Sequence, residues 1–378
     1  MTMQKLNSKF VFGAAALLAA GLVSCGGSDP ESDGNSGSTS ESASADGAIT
    51  ELALSSNIAL NGAGASFPAP LYQRWFQEFS NAQSELQVNY QSVGSGAGVE
   101  QFTQGTVDFG ASDVAMTDEE MAAIERGTIL LPMTAGSVVL AYNVPGVESG
   151  LNLSRDNYTG ILLGEITKWN DPAIAADNPD VELPDQQITV VYRSDGSGTT
   201  GVFTKHLSAI SSDWSEKIGE GKSVDWPTGV GAKGNEGVTA QITQTPGAIG
   251  YIEYAYAKLN EVPFAALENQ EGNFILPSDE SASLTLAAVE LPDNLRAFIT
   301  DPEGADSYPI VTYTWMLVYG SYEDPDTAKS IEATIEFGLN QGQDIAPELG
   351  YIPLPQNVRE RVAAAADVLS PDYEIVVK

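Results

Sequence analysis

The sequence has one cysteine, Cys25, and one histidine, His206, among its 378 residues. A lone cysteine rules out an intrachain disulfide and a zinc site built from several thiolates. A lone histidine rules out a histidine-rich metallophosphatase centre; His206, beside Phe203 and about two helical turns beyond Thr199, reads as a packing or solvent-facing group. Basic residues are scarce as well: 17 Lys plus Arg stand against 51 Asp plus Glu, a formal net charge of −34. No basic footprint for nucleic acid exists, so no nucleic-acid partner is expected. The many carboxylates show no calcium-loop spacing, and neither a metal nor a cofactor is expected. After the N-terminus, no apolar run is long enough to span a bilayer. With long-range attraction absent, any anion site has to work through local donors.

What the chain does have begins with an export signal. Lys5 and Lys9 precede an uncharged stretch, Phe10 to Val23, of 14 residues. It closes on Leu22-Val23-Ser24-Cys25, which resembles a bacterial lipoprotein cleavage box in which Cys25 is acylated and becomes the new N-terminus. An ordinary secretory signal with an incidental cysteine is the plainer alternative. Gly26 to Gly47 is almost wholly Gly, Ser, Ala, Asp and Glu, a composition that cannot offset the entropy of ordering and reads as a tether. The expected organisation is a signal over 1–24, acylated cysteine and tether over 25–47, then a folded body. That body is longer than one hydrophobic core usually carries, so two lobes are expected.

Within the body, Leu71, Tyr72, Trp75, Phe76 and Phe79 have helical spacing. They follow a tight loop, Gly62 to Pro70, whose prolines suit a helix entry. Leu86, Val88 and Tyr90 alternate as in a strand, and Gly94 to Gly98 then opens a short helix through Val99 and Phe102. Val107 to Ala111 predicts a strand, and Thr117 with Glu120 a capping box for a helix holding Met121 and Ile124. Ser137 to Tyr142, Ile188 to Tyr192 and Pro309 to Tyr319 predict further strands, with helices over 200–207, 327–337 and 358–368. This strand, glycine-rich turn, helix rhythm is that of a doubly wound α/β protein. Crossovers near 136 and 311 would place 48–136 plus 312–378 in lobe I and 137–311 in lobe II.

Arg193-Ser194-Asp195-Gly196-Ser197-Gly198-Thr199 follows a strand and opens a helix. Glycines there let backbone N–H groups converge, Ser197 and Thr199 add hydroxyls, and Arg193 brings a planar fork suited to tetrahedral oxyanions. A surface turn whose hydroxyls only cap the helix is the plainer reading. Ser66 with the Phe67 backbone, and Ser95, share the same grammar and the same ambiguity. Asp113, a carboxylate at a strand end, ought to repel an anion.

The ordered pieces Gly62 to Pro70, Asn89 to Ser95, Val107 to Asp113, Leu163 to Trp169, Arg193 to Thr199 and Pro246 to Tyr251 resemble the family of phosphate-specific substrate-binding proteins of bacterial high-affinity phosphate ABC transporters (PstS-like). The resemblance runs from about Ile58 to the C-terminus. It implies a type II periplasmic-binding-protein fold: two doubly wound lobes, two crossover strands and a ligand cleft between them. It also implies phosphate contacts from Ser66, Phe67, Ser95, Asp113, Arg193, Ser197, Gly198 and Thr199, with Asp195 bracing Arg193. Partners would be inorganic phosphate and membrane-embedded permease subunits, and the protein a monomer. The lipid anchor outside the membrane rests on Cys25 itself and not on the resemblance, since some soluble relatives lack it. Phosphate keeps a proton that Asp113 can accept, whereas sulfate has none to give. Receptors for sulfate or molybdate, a phosphoester hydrolase using Ser197, and a structural surface protein are the competing readings. Trp169, Tyr251, Tyr254 and Tyr256 read as packing residues.

Overall fold

The computed structural model describes residues 52–378; the expected export signal, Cys25 and the expected tether lie outside the described residues. Strands β1 (Ile58–Gly64), β2 (Leu86–Ser92), β3 (Phe109–Ser112) and β4 (Thr128–Tyr142) come first. Then follow β5 (Asn152–Leu153), β6 (Thr189–Arg193), β7 (Val230–Ala232), β8 (Ala248–Glu253), β9 (Ala266–Glu268), β10 (Phe274–Ile275) and β11 (Val311–Tyr319). Eight of them are ordered β2-β1-β3-β11-β4-β8-β6-β7, and β10-β9-β5 form a small separate sheet.

At one end β1 pairs in parallel with β2 and β3; at the other β6 pairs in parallel with β7 and β8. Helices connect the parallel neighbours, as parallel pairing requires. Between the two groups run β4 and β11, antiparallel to each other and the longest strands of the sheet. β4 pairs with β11 as far as Ser137 and with β8 from Val138 onward, so one strand serves both α/β lobes. All of β11, and β4 from Leu130 on, is buried, which explains apolar runs without alternation. Thr314 faces Thr134 but Trp315 faces Pro132, leaving Met133 as the extra residue of a bulge. Proline has no N–H for a ladder, and a bulge is where a central strand can hold one.

The helical stripe is the buried face of helix Ala69–Ala82, entered from Pro68 with a proline in its first turn. Thr117 and Glu120 form the expected capping box: Glu120 N–H donates to Thr117 Oγ1 at 3.1 Å and Thr117 N–H to Glu120 Oε2 at 2.8 Å. Several boundaries differ from expectation, the largest difference being at β4, which starts at Thr128, well ahead of the expected Ser137. The capped helix, Asp118–Ala122, stops before Ile124, whose side chain is buried beyond the helix end. β3 starts at Phe109 and not at Val107, because the Asp108 carboxylate takes the Asn61 N–H at 2.7 Å, where a ladder carbonyl would otherwise stand. The remaining expected helices are Gly198–Ile210, Pro325–Leu339 and Gln356–Ala366. His206 packs: it is buried, with Nε2 2.8 Å from the Tyr158 hydroxyl, and burial pushes its pKa down to about 3.

Candidate functional site

The ends of β1, β2, β3 and β6 and the loops leaving them converge, and they carry every phosphate-contact residue the sequence singled out. Ser66, Phe67, Ser95, Asp113, Arg193, Ser197 and Thr199 are all buried. Ser95 is the first residue of helix Ser95–Thr103, and Gly198 and Thr199 open helix Gly198–Ile210. N–H groups in the first turn of a helix have no acceptor within it, so these two helix starts aim donors at one place. The Ser197 hydroxyl caps its own helix, accepting the Thr200 N–H at 3.0 Å, which leaves its proton to donate elsewhere.

The two lobes touch across these loops. Gly96 N–H donates to the Gly196 carbonyl at 2.8 Å, and Thr199 Oγ1 donates to Asp113 Oδ2 at 3.3 Å. Gly198 is required here: a Cβ would come within 2.5 Å of Ser95 Oγ and 2.8 Å of the Asp113 backbone N. Gly94, at φ +94°, likewise leaves room for the Asp195 carboxylate.

Arg193 is held from three sides. Its N–H donates to the Tyr251 hydroxyl at 3.0 Å, Nε to Asp195 Oδ1 at 2.8 Å, and Nη2 to Asp195 Oδ2 at 2.6 Å. Asp195 also accepts the Gly234 N–H at 3.1 Å. Burial works against both charges, but their pairing outweighs it: Arg193 is raised and Asp195 lies below the ordinary carboxylate value. One edge of the guanidinium is therefore committed, while Nη1 is buried without a partner. A buried cationic donor left open is costly unless something else fills the position.

Asp113 is the acceptor of the group. Oδ1 accepts from Thr314 Oγ1 at 3.0 Å, and the Asp113 N–H donates to Ser95 Oγ at 3.3 Å. Burial pushes the carboxyl up to about 7, against the opposing pull of Thr314, Arg193, Thr199 and Ser95. The assembly thus offers hydroxyls from Ser66, Ser95, Ser197 and Thr199, helix-start N–H groups, one guanidinium end and one carboxylate poised to exchange a proton.

Sequence reasoning missed several residues that frame this site. Asn235, fully buried, donates from Nδ2 to Ser66 Oγ at 2.9 Å and to Thr199 Oγ1 at 3.3 Å. Its run Lys233-Gly234-Asn235 follows β7 and opens helix Gly234–Gln244, the same grammar as the loops that were noticed. Tyr256 and Tyr351 hydroxyls donate to the Ser66 and Phe67 carbonyls, each at 2.6 Å. Tyr251 and Tyr256 are therefore more than packing, since each fixes a site loop. Thr314 sits inside a β-branched run that gives no hint of a polar role.

The PBP superfamily domain model matches residues 34–339. The phosphate-binding protein PstS of Pasteurella multocida is 43% identical over 81% of this chain and 89% of its own length. That of Haemophilus influenzae is also 43% identical, over 79% and 90%. Among solved structures, a high-affinity periplasmic phosphate-binding protein (PfluDING), determined with phosphate bound, superposes with a TM-score of 0.67. It is 20% identical, over 81% of this chain and 93% of that one. With two α/β lobes, a shared central strand and this breadth of matched sequence, the chain belongs to the PBP superfamily, within the family of PstS phosphate-binding proteins.

Proposed function

We propose that this protein binds inorganic phosphate between its two lobes, outside the cytoplasmic membrane, and delivers it to the membrane subunits of an ABC transporter. The observation that carries this reading is the pairing of an unpartnered buried Arg193 Nη1 with a buried acceptor, Asp113, among otherwise donating groups. A tetrahedral anion that keeps one proton satisfies both: its oxygens take the donors and its proton meets Asp113. Ser66, Phe67 N–H, Ser95, Asp113, Arg193, Ser197, Gly198 N–H and Thr199 are the contacts of this reading, with Asp195 holding Arg193. The family supports it, since the curated relatives are named as phosphate-binding proteins. Binding without chemistry fits the arrangement, because the one histidine of the sequence, His206, is buried and bonded to Tyr158.

The lobes divide, in this proposal, into 48–136 with 312–378 and 137–311; the change of partner along β4 at Ser137 and Val138 supports the division. Cys25 carries the lipid that holds a monomeric receptor at the membrane, on the strength of the cleavage-box sequence and the tether after it. Titration calorimetry of the soluble body with phosphate, arsenate and sulfate in turn tests the function. Tight binding of phosphate and arsenate with weak binding of sulfate is expected, and a preference for sulfate would refute it.

A further inference from the structure

Asn235 occupies a position that no phosphate contact requires, yet its hydrogen bonds reach both lobes. Ser66 Oγ accepts twice from this one residue, from the backbone N–H at 3.0 Å and from Nδ2 at 2.9 Å. A hydroxyl has two lone pairs and one proton, so with both lone pairs occupied Ser66 can only donate. The second Nδ2 proton goes to Thr199 Oγ1, which takes up one of that hydroxyl's lone pairs as well. The amide cannot turn over, because Oδ1 accepts the Glu253 N–H at 3.0 Å and a flipped Nδ2 would meet that donor head-on. Asn235 is fully buried, so no water competes for these bonds.

We infer that Asn235 is a specificity-determining positioning residue: it sets the polarity of Ser66 so that its hydroxyl donates into the cleft, while the Thr199 proton stays on Asp113, leaving Asp113 as the place where a ligand proton is received. This rests on the phosphate site proposed above. Were Ser66 free to rotate, it could accept a ligand proton or present a lone pair to an anion, and Asp113 would no longer be the single reader. The selectivity of the cleft is then set by an amide that does not touch the ligand.

Asn235→Asp tests this at constant size. The ionised carboxylate only accepts, so Ser66 turns its proton toward it and shows a lone pair to the anion. Calorimetry with inorganic phosphate should find affinity reduced at least about thirtyfold at about pH 8. The deficit relative to the native protein should shrink as pH falls and the buried carboxyl regains a proton to donate. A structural defect would give a deficit that does not vary with pH. Because the effect runs through Ser66, Asn235→Asp should lose less in a Ser66→Ala background than in the native one. Should Asn235→Asp not fold, Asn235→Ala carries the same cycle, with a loss of about tenfold that shrinks in the Ser66→Ala background. Near-native affinity of the Asn235 variants, or a loss additive with Ser66→Ala, overturns the inference while the site stands. Native-like phosphate binding by both Ser66→Ala and Arg193→Ala overturns the site, and the inference falls with it.

Discussion

Replacing Asp113 by asparagine should narrow the preference for phosphate over sulfate, and the structure sets the scale of the effect. Burial raises this carboxyl from its ordinary 3.8 to about 7, so the ionised form sits roughly 4 kcal/mol above its solvated reference. Thr314 and Thr199 already donate to its two oxygens, so a ligand proton is the remaining group that can relieve the charge. Phosphate brings that proton; sulfate brings only acceptor oxygens and faces the carboxylate unrelieved. An unpaired buried charge of this kind costs about 2 to 4 kcal/mol, a margin of roughly thirtyfold to a thousandfold for phosphate. Asparagine keeps the shape, removes the charge and offers Nδ2 donors; the threonine hydroxyl facing Nδ2 can turn to accept while the other still donates to Oδ1. The phosphate-to-sulfate ratio should then shrink at least about tenfold, about 1.4 kcal/mol.

Sulfate also gives the cleaner pH readout, since it does not titrate across the neutral range. The native carboxyl has a raised pKa, so above about pH 7 it is ionised and can only repel; below that it carries a proton it can donate. Native sulfate affinity should therefore rise as pH falls through about 7, while the Asp113→Asn protein, with nothing to titrate there, stays flat. Calorimetry at fixed ionic strength reads both curves. If the two proteins gave superimposable sulfate curves, Asp113 would not be reading the ligand proton.

Arg193→Ala should weaken phosphate binding by about 2 to 4 kcal/mol, and Arg193→Lys should restore only part, because an ammonium cannot hold Asp195 through two bonds and also present a free end; unchanged calorimetric affinity would displace the site. Gly198→Ala places a methyl against Ser95 and Asp113, so phosphate affinity should drop at least tenfold, by about 1.4 kcal/mol or more; full affinity would mean that the helix start does not approach Asp113 in the bound state. Cys25→Ala should abolish labelling by a fatty-acid precursor, and labelling that persists removes the anchor from that residue. Phosphate affinity should change less than about threefold between roughly 0.05 and 0.5 M salt; a tenfold loss would show that net charge, not local bonding, drives binding.

The sequence displayed the parts of this protein whose signals are local. The Ala69–Ala82 stripe is a periodic pattern, the Thr117–Glu120 box is two residues at fixed spacing, and the Arg193 to Thr199 loop announces itself through glycines at a helix start. Strand ends that meet in space were readable because each carries the same turn chemistry. What stayed hidden depends on pairing between distant segments. Nothing local marks Thr314 as the partner of Asp113, since its neighbours read as sheet core and the contact spans both strands and loops. The early start of β4 was obscured because Pro132 is tolerated only through a bulge defined by β11. Asn235 had a visible loop grammar, but its value lies in which hydroxyls it meets, and that is decided by how the lobes close.

Weak salt dependence would follow from where the charges stand. The protein carries a formal −34, and the site's own ionisable groups, Arg193, Asp195 and Asp113, sum to negative when all are charged. Coulomb attraction at long range therefore opposes an anion, and screening it, over a Debye length of about 8 Å at physiological ionic strength, would help slightly and not hurt. Binding has to come from contact: hydroxyl protons fixed in direction, N–H groups at two helix starts and one guanidinium end, all in a cleft from which water is excluded when the lobes meet. Such donors lose strength steeply with distance and misalignment, so they act only when both lobes supply them together. Discrimination then rests on the one group that breaks the pattern. A site of donors alone would favour any tetrahedral oxyanion, and the more highly charged the better. In the proposed site, a buried carboxylate among them would make the ligand's proton a requirement, and the repulsion that Asp113 adds would be what distinguishes a protonated anion from one without a proton.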